Sequence, residues 1–198
     1  MKIYGTDKLR NIALISHSGA GKTSLAEAML FVSKSTNRLG KVDEGTSIMD
    51  YEPEEIRRNI SINLSTAPCE WKGHKLNILD SPGYFDFVGD VMAALRVVDG
   101  ALIVVCASSG VEVGTEKAWN YAEEYEMPRM IFINKLEREN ANFDQALNQL
   151  TEAYGQNIVP VQLPIGVAEN FKGFVHLIQQ KAYVWDQNSL KEDSIPED

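Results

Sequence analysis

The sequence predicts an α/β fold in which a mostly parallel sheet carries helices on both faces. Strand-like apolar runs alternate with helical stretches along the chain, and such alternation is typical of parallel strands joined by crossover helices. Three of the apolar runs end in short polar loops, at residues 16–23, 80–83 and 134–137. Because ligands bind at the carboxyl ends of the strands in such a sheet, we expect these loops to form a ligand site.

The predicted elements follow one another in a regular order. Strands are predicted near residues 10–16, 60–70, 74–80, 100–107, 129–135 and 158–163, and helices near residues 22–33, 86–97, 113–126 and 143–154. Between Ser33 and Asn59 lies a long polar segment without clear periodicity, and so long a loop inside a compact domain is usually functional or disordered. After Gly173 the pattern changes to a short apolar stretch, the run Lys181-Ala-Tyr-Val-Trp185 and a polar tail.

Composition narrows the class of protein. The 198 residues are 44% hydrophobic, which is enough to bury a sizeable core in one domain with a small appendage. The net charge of −9 argues against bulk electrostatic binding of nucleic acid. Cys69 and Cys106 fit no metal-ligand spacing, and Cys106 is interpreted as a buried apolar residue in a reducing compartment. We expect a cytoplasmic chain without a secretory signal or a membrane span.

The loop that follows the first predicted strand has the layout of a phosphate-binding loop. The run Asn11-Ile-Ala-Leu-Ile-Ser16 leads into His17-Ser-Gly-Ala-Gly21-Lys22-Thr23, and a helical stretch follows from Ser24. In such a loop the backbone N–H groups and the positive end of the helix bind phosphate oxygens. Lys22 would reach the β- and γ-phosphates, and the Thr23 hydroxyl would bind Mg²⁺. The residues predicted to contact a nucleotide here are His17, Ser18, Gly19, Ala20, Gly21, Lys22, Thr23 and Ser24.

Two later loops support this interpretation against the alternative of an ordinary strand-to-helix turn, which Ser16 keeps open because the usual pattern begins with Gly. In Asp80-Ser-Pro-Gly83, Asp80 can hold Mg²⁺ through a water and the Gly83 N–H can meet the γ-phosphate. In Asn134-Lys135-Leu136-Glu137, the Asn and Glu side chains suit the edge of a base, and the Lys stem can lie along its face. Each motif is weak alone, but three of them at strand ends indicate a P-loop NTPase.

With these motifs the chain resembles the translational GTPases, specifically the G domain of elongation factor G, from about Leu9 to Trp185. The shared segments are Gly45-Thr-Ser-Ile-Met-Asp50, Arg58-Asn-Ile-Ser61-Ile62, Asp80-Ser-Pro-Gly-Tyr-Phe-Asp-Phe87, Gln162-Leu-Pro-Ile-Gly166 and Asn170-Phe-Lys-Gly173. The last two are typical of elongation factor G rather than of small GTPases. The chain departs from the family pattern at Asn59-Ile60-Ser61 (for Gly-Ile-Thr), at Tyr84 (for His) and at Glu137 (for Asp). The Tyr suggests the divergent branch called type 2.

The resemblance implies a P-loop NTPase G domain over residues 1–172, with the start of an inserted subdomain and a polar tail over residues 173–198. Elongation factor G carries its last guanine-recognition loop, Ser-Ala-x, after that insertion, and this chain contains no Ser-Ala dipeptide. We therefore expect the chain to be the N-terminal piece of a longer protein. The segment from Ser33 to Asn59 would be the first switch, which Mg²⁺ and the γ-phosphate order. A simple flexible insertion is the alternative.

The resemblance also implies roles for individual side chains. The metal residues would be Thr23 and Ser61 directly and Asp80 through a water, unless Ser61 merely begins a strand. The catalytic residues would be Lys22, Gly83 and Tyr84. A Tyr hydroxyl can align the attacking water, although it cannot carry the positive charge of a His. The alternative for Tyr84 is a ring that packs over the switch with little effect on chemistry.

Three further interpretations complete the predicted site. Glu137 would receive the guanine N1–H and amino group, with Asn134 and Lys135 beside it. His17 is expected to support packing of the loop rather than catalysis. One group of charged residues is interpreted as a solvated cluster, and its members are Asp50, Glu52, Glu54, Glu55, Arg57 and Arg58.

The function implied by the resemblance is hydrolysis of GTP to GDP and phosphate, with Mg²⁺ as cofactor. Its partner would be the ribosome, whose large-subunit GTPase-activating region would stimulate the full-length protein. We expect a monomer that does not bind membranes or nucleic acid in bulk. The alternative is a nucleotide-gated ribosome-binding module, such as a ribosomal protection protein, with little turnover of its own. A P-loop ATPase or kinase is a third possibility, which the Asn134-Lys135 pair disfavours.

Overall fold

A computed structural model of the chain describes residues 2–186 and 189–196. The chain divides into two compact units, one built from Met1–Val105 with Glu112–Phe132 and the other from Cys106–Val111 with Ile133–Asp198. Among the described residues, no helix is long and apolar enough to cross a bilayer.

The first unit contains a five-stranded sheet with helices between its strands. Its elements are β1 (Leu9–Ser16), α1 (Lys22–Val32), α2 (Pro53–Arg58), β2 (Ser65–Trp71), β3 (His74–Asp80), α3 (Val88–Leu95), β4 (Gly100–Cys106), α4 (Val113–Glu124) and β5 (Arg129–Asn134). The last residue of β4 and the last two residues of β5 fall in the second unit. The strand order is β2-β3-β1-β4-β5. Strand β1 pairs in parallel with β3 and β4, whereas β2 forms an antiparallel hairpin with β3. The predicted α/β class with a mostly parallel sheet is confirmed.

The register of the sheet brings the predicted loops of this unit to one edge. Leu14 of β1 lies beside Asp80, the last residue of β3, and Ser16 lies beside Val104 of β4. Strands β1 and β3 therefore end at neighbouring positions, which places the loops after Ser16 and after Asp80 next to each other.

The core of the first unit lies under β1 and β3 and extends into the polar segment. One cluster of buried residues consists of Leu14, Ala26, Leu30, Met49, Cys69 and Ile78. Ala26 and Leu30 are four positions apart and therefore occupy one face of α1. Met49 comes from the predicted switch, and its exposure of 2% means that this part of the segment is packed into the core.

The second unit contains a helix and an antiparallel sheet. Its elements are α5 (Phe143–Tyr154), β6 (Gln162–Ile165), β7 (Gly173–His176), β8 (Lys181–Asp186) and β9 (Ser189–Asp193), and the sheet order is β6-β7-β8-β9. The Asn142 side chain accepts a hydrogen bond from the Gln145 N–H at 2.9 Å and so caps α5. Strand β9 is exposed throughout, and Lys181 of β8 pairs with Glu192 of β9 at 2.8 Å.

Most predicted elements are confirmed with shifts of a few residues at their ends, but two predicted strands differ. Helix α2 and strands β7, β8 and β9 were not predicted. The strand predicted near residues 60–70 begins at Ser65, because the backbone before it binds carboxylates instead of a neighbouring strand. The strand predicted near residues 158–163 begins at Gln162 and belongs to the antiparallel sheet. Helix α2 lies in the segment for which no helix was predicted. It spans six residues, which is too short to show a helical period. The division of domains after residue 172 stays a prediction.

Candidate functional site

The loop between β1 and α1 adopts a backbone shape that side chains would hinder. Gly19 and Gly21 have φ angles of 79° and 101°, in the left-handed region that glycine tolerates best. Gly21 is the residue before α1, whose first turn leaves backbone N–H groups without intrahelical acceptors. These N–H groups and the helix dipole together form a site suited to an anion such as phosphate.

Lys22 is a buried cation at the start of α1. Its side chain is 5% exposed, and its Nζ donates to Ser16 Oγ at 2.9 Å and to the His17 carbonyl at 3.5 Å. Burial lowers the pKa of Lys22, while Asp80 and Asp50 favour its charged form. Ser16, which departs from the usual glycine, therefore supplies the lysine with an acceptor. A buried ammonium at this position is suited to an anionic ligand.

Hydroxyl groups from two distant parts of the chain meet beside Lys22. Thr23 Oγ1 lies 3.0 Å from Ser61 Oγ, and Ser61 Oγ donates to Asp50 Oδ1 at 2.7 Å. The structure thus brings together the two residues predicted to contact a metal directly. Ser61 precedes β2 and lies outside any strand, so the alternative that it begins a strand is wrong.

Asp80 is a buried carboxylate at the end of β3. It is 2% exposed, and among the described residues its Oδ1 has no hydrogen-bond partner. Burial raises the pKa of Asp80 to about 6, with Lys22 and Thr23 opposing that shift. A carboxylate with an unused buried oxygen beside two hydroxyls is a suitable donor set for Mg²⁺.

The oxygen atoms of Thr23, Ser61 and Asp80 suit Mg²⁺ better than they suit a metal ion whose ligands all come from the protein. Residues 2–186 and 189–196 contain no cluster of three His, Cys, Asp or Glu side chains that could enclose a metal. Mg²⁺ is usually held by one or two carboxylates together with waters and the phosphates of a substrate. The residues present therefore fit a metal that arrives with a nucleotide.

Replacing Asp80 with asparagine should stabilise the ligand-free protein. The pKa of the Asp80 carboxyl rises from its ordinary value of 3.8 to about 6 in the folded chain. The folded state therefore binds the proton more tightly, and stability falls as pH rises from about 4 to about 6. Since Asn is uncharged, Asp80→Asn should raise the free energy of unfolding at pH 7 by about 1–3 kcal/mol.

Urea denaturation in the presence of a chelator, at pH 7 and at pH 4, measures this effect. The gain should be present at pH 7 and much smaller at pH 4, where Asp80 is protonated in the folded state and about two-fifths protonated in the unfolded state. The control is Asp86→Asn, which removes an exposed carboxylate six positions away and should change stability little. An equal gain at both pH values would mean that the buried charge is not the cause.

Gly83 approaches the phosphate loop too closely to carry a side chain. A Cβ atom built on Gly83 would lie 2.7 Å from Ser18 Cα and 2.8 Å from Lys22 Nζ. The preceding turn is fixed by Ser81, whose Oγ donates to the Leu14 carbonyl at 2.7 Å. The backbone of Gly83 thus lies directly against the loop, as a contact with the same phosphate requires.

Tyr84 lies next to this contact and is half-exposed. Its side chain is 43% exposed, and in the part of the chain that the structure describes its hydroxyl has no hydrogen-bond partner. The ring lines a small, shallow cavity together with Phe85, Val88 and Tyr121. Lys117 Nζ lies 3.8 Å from the centre of the Phe85 ring, which holds that neighbouring aromatic residue in place.

His17 is enclosed by neighbours of its own unit. Its Nε2 lies 3.6 Å from Glu112 Oε1, and its ring makes an edge contact with Phe85 at 6.2 Å between centroids. A Cβ atom on Gly114 would come within 2.5 Å of the His17 ring, so the histidine packs against the backbone of α4. These contacts describe a packed side chain, and the role of His17 in binding stays a prediction.

The predicted base-recognition loop belongs to the second unit. The Asn134 carbonyl accepts a hydrogen bond from the Ala107 N–H at 2.8 Å. Lys135 has a φ of 62°, so the chain turns sharply there, and the Arg138 N–H closes the turn on the Lys135 carbonyl at 3.2 Å. Asn134 and Lys135 are half-buried and Glu137 is exposed. The recognition of a base by these residues stays a prediction.

The interpretation of residues 50–58 as one solvated charge cluster is wrong for two of its members. Asp50 and Glu55 are 4% and 0% exposed. Glu54 fits the interpretation, because it forms exposed ion pairs with Arg57 and Arg58 at 2.7 and 3.0 Å.

Sequence reasoning missed Glu27 and Glu55, two buried carboxylates. Glu27 binds a backbone N–H group of the polar segment, and Glu55 binds one just after it. Their signal in the sequence is slight. Pro53 within the segment, with Glu at the positions before and after it, could have indicated a helix start.

Comparison with known proteins gives two results. The family model described as "Elongation factor Tu GTP binding domain" matches residues 7–187. The chain is also similar to a crystal structure of a protein from Thermus thermophilus, with 37% sequence identity and a TM-score of 0.90. The match covers 95% of this chain and 28% of that chain. This chain therefore spans less than a third of the length of its relative.

Proposed function

Because the chain belongs to the family of elongation factor Tu GTP binding domains, we propose that it is the GTP-binding domain of an elongation-factor-G-like translational GTPase. The family match confirms the resemblance to translational GTPases predicted from the sequence. The proposed reaction is hydrolysis of GTP to GDP and phosphate, stimulated by the ribosome. The partner and the stimulation concern the whole protein, of which this chain would form one domain.

The observation that carries the proposal is the meeting of Thr23 and Ser61 at 3.0 Å beside a buried Asp80 and Lys22. Hydrolysis of GTP needs positioning and charge stabilisation rather than covalent chemistry from the protein. Lys22 and the N–H groups of the loop would hold the phosphates, and the Gly83 N–H would meet the γ-phosphate. Tyr84 would align the attacking water through its hydroxyl.

Three residues would hold Mg²⁺ when a nucleotide is bound. Thr23 and Ser61 would contact the ion directly, and Asp80 would contact it through a water. Bound Mg²⁺ supplies positive charge that neutralises the phosphate oxygens. The protein itself would orient the hydroxyls of Thr23 and Ser61. Asp50 contributes to this by accepting a hydrogen bond from Ser61 Oγ at 2.7 Å.

The base would be read by the loop at Asn134, Lys135 and Glu137. The family binds guanine nucleotides, and a carboxylate can accept both the N1–H and the amino group of guanine. Glu137 is one methylene longer than the Asp that the family uses, so its carboxylate is displaced outward and less restricted. We therefore propose that the site binds guanine nucleotides but distinguishes them from other nucleotides less strongly than is usual in the family.

Replacing Glu137 with aspartate should tighten GDP binding, or widen the gap between GDP and inosine diphosphate, by up to about tenfold. The shorter side chain would restore the paired hydrogen bonds to guanine, and such bonds contribute strongly to the selectivity of a site of this kind. Calorimetric titration with both nucleotides measures the change. Glu139→Asp makes the same substitution at an exposed position two residues away and should bind as the wild type does. Weaker GDP binding by Glu137→Asp would mean that the backbone has adapted to Glu.

A second function has one observation in its favour. The half-exposed Tyr84 ring lines a shallow cavity beside Phe85, which favours a packing role for this side chain. The chain would then be a nucleotide-gated ribosome-binding module with little turnover. Single-turnover hydrolysis of GTP, with and without ribosomes, separates the two functions. Ribosome-dependent turnover supports the enzyme, whereas binding without turnover supports the module.

A further inference from the structure

Two buried carboxylates hold the segment from Ser47 to Asn63 in place. Glu27 of α1 and Glu55 of α2 are each 0% exposed, and burial of a charge is costly unless hydrogen bonds compensate it. Glu27 Oε1 accepts from Ser47 Oγ at 2.8 Å and from the Ile48 N–H at 2.6 Å. These bonds fix the part of the segment that leads to Asp50.

Glu55 fixes the other end of the segment. Its Oε1 accepts from the N–H groups of Ile62 at 2.8 Å and Asn63 at 2.9 Å, and its own backbone carbonyl accepts from the Ile60 N–H at 3.2 Å. Ser61 therefore lies between two residues that are both bound to Glu55. The Ser61 backbone has little freedom to move while these bonds persist.

The consequence concerns the hydroxyl of Ser61, which must lie within reach of both Thr23 and Asp50. Serine lacks the methyl group of the family's threonine, so its own side chain restrains its rotation less. The backbone bonds from Glu55 supply a restraint from outside the residue.

We propose that Glu55 is a positioning residue for the magnesium site. It acts through the backbone on both sides of Ser61 and holds the Ser61 hydroxyl beside Thr23. This inference rests on the proposed function, because it assigns Glu55 a part in the same site. Partners of this kind, which orient metal ligands without touching the metal, typically contribute 10- to 100-fold to metal affinity.

A competing explanation is that Glu55 serves only to cap α2. Its Oε2 accepts from the Glu52 N–H at 3.0 Å, and the Glu52 side chain accepts in return from the third residue of the helix. This reciprocal capping offers a matched control. Glu52→Ala removes a capping carboxylate of α2 but leaves the bonds from Glu55 to Ile62 and Asn63 intact.

The experiment measures how much Mg²⁺ the 198-residue chain needs to bind a non-hydrolysable GTP analogue. In Glu55→Ala, the Mg²⁺ concentration for half-maximal binding should rise by roughly 10- to 100-fold. GDP binding in the presence of a chelator should stay unchanged. Glu52→Ala should match the wild type in both measurements. Glu55→Gln keeps one acceptor oxygen, so its Mg²⁺ requirement should rise less, and it serves as the test if Glu55→Ala does not fold.

Amide hydrogen exchange provides a readout that does not depend on nucleotide. The N–H groups of Ile62 and Asn63 should exchange faster in Glu55→Ala than in Glu52→Ala. Equal shifts in Mg²⁺ requirement for these two variants would assign Glu55 to helix capping and overturn the inference. A wild-type chain that fails to bind the GTP analogue would instead overturn the proposed function.

Discussion

Replacing Tyr84 with phenylalanine should lower ribosome-stimulated GTP turnover by roughly 10²- to 10⁴-fold, the range that a positioned proton-handling group supplies. The substitution keeps the ring that lines the cavity beside Phe85 and removes only the hydroxyl. GDP affinity should be unchanged, because the proposed site places Tyr84 next to Gly83 and the γ-phosphate, which GDP lacks. Single-turnover hydrolysis with and without ribosomes measures the effect.

A matched control exists in the wall of the same cavity. Tyr121 of α4 lines it together with Tyr84, so Tyr121→Phe removes a hydroxyl from the same surroundings and should leave turnover unchanged. Without ribosomes, both variants and the wild type should hydrolyse GTP very slowly, because we expect that an outside surface is needed to order the residues around Tyr84. Equal stimulated rates for wild type and Tyr84→Phe would assign Tyr84 to packing and favour the binding module over the enzyme.

Replacing Lys22 with alanine should weaken GDP and GTP binding by roughly 10²- to 10³-fold, as expected when one partner of a buried, hydrogen-bonded charge pair is removed. Lys22 is 5% exposed and lies near Asp80 and Asp50. Without it, the phosphates would face buried negative charge with no compensating cation. Calorimetric titration with GDP, GTP and ATP measures both the loss and the base preference, and the wild type should bind both guanine nucleotides more tightly than ATP.

Lys8→Ala is the control for Lys22→Ala, because it removes an exposed lysine just before β1 and should not alter binding. A thermal melt of each variant shows whether folding is retained, since the loss of Lys22 leaves Asp80 without its nearest cation. Unchanged GDP affinity in a folded Lys22→Ala, or tighter binding of ATP by the wild type, would contradict the assignment of a guanine-nucleotide site.

The sequence predicts the sheet and the loop at its edge well, because both depend on local patterns. Strand β1 can be predicted because it is an apolar run in the sequence. Gly19 and Gly21 indicate a turn, because they tolerate the left-handed backbone that the turn adopts. The contact between Thr23 and Ser61 could be expected only from the family resemblance, since 38 residues separate them.

The parts that could not be predicted depend on contacts between distant residues. Nothing in the sequence distinguishes the buried Glu55 from the exposed Glu54 beside it, because both lie in the same acidic run. The difference in exposure follows from the fold. Glu55 accepts from the N–H groups of Ile62 and Asn63, whereas Glu54 forms ion pairs with Arg57 and Arg58. Likewise, Ser16 departs from the usual motif, and its hydrogen bond from Lys22 cannot be predicted from the sequence.

The strands at the sheet edges bear on how the protein behaves in concentrated solution. An edge strand can recruit a strand from another molecule, and proline or charge on it discourages such pairing. Pro68 lies in β2, Pro164 lies in β6, and β9 carries the charged run Lys191-Glu-Asp193. In the part of the chain that the structure describes, β5 is the remaining edge, and its Met130 and Phe132 side chains are 64% and 37% exposed. Self-association through strand addition should therefore begin at β5, and a charged residue introduced there would oppose aggregation without disturbing the phosphate loop.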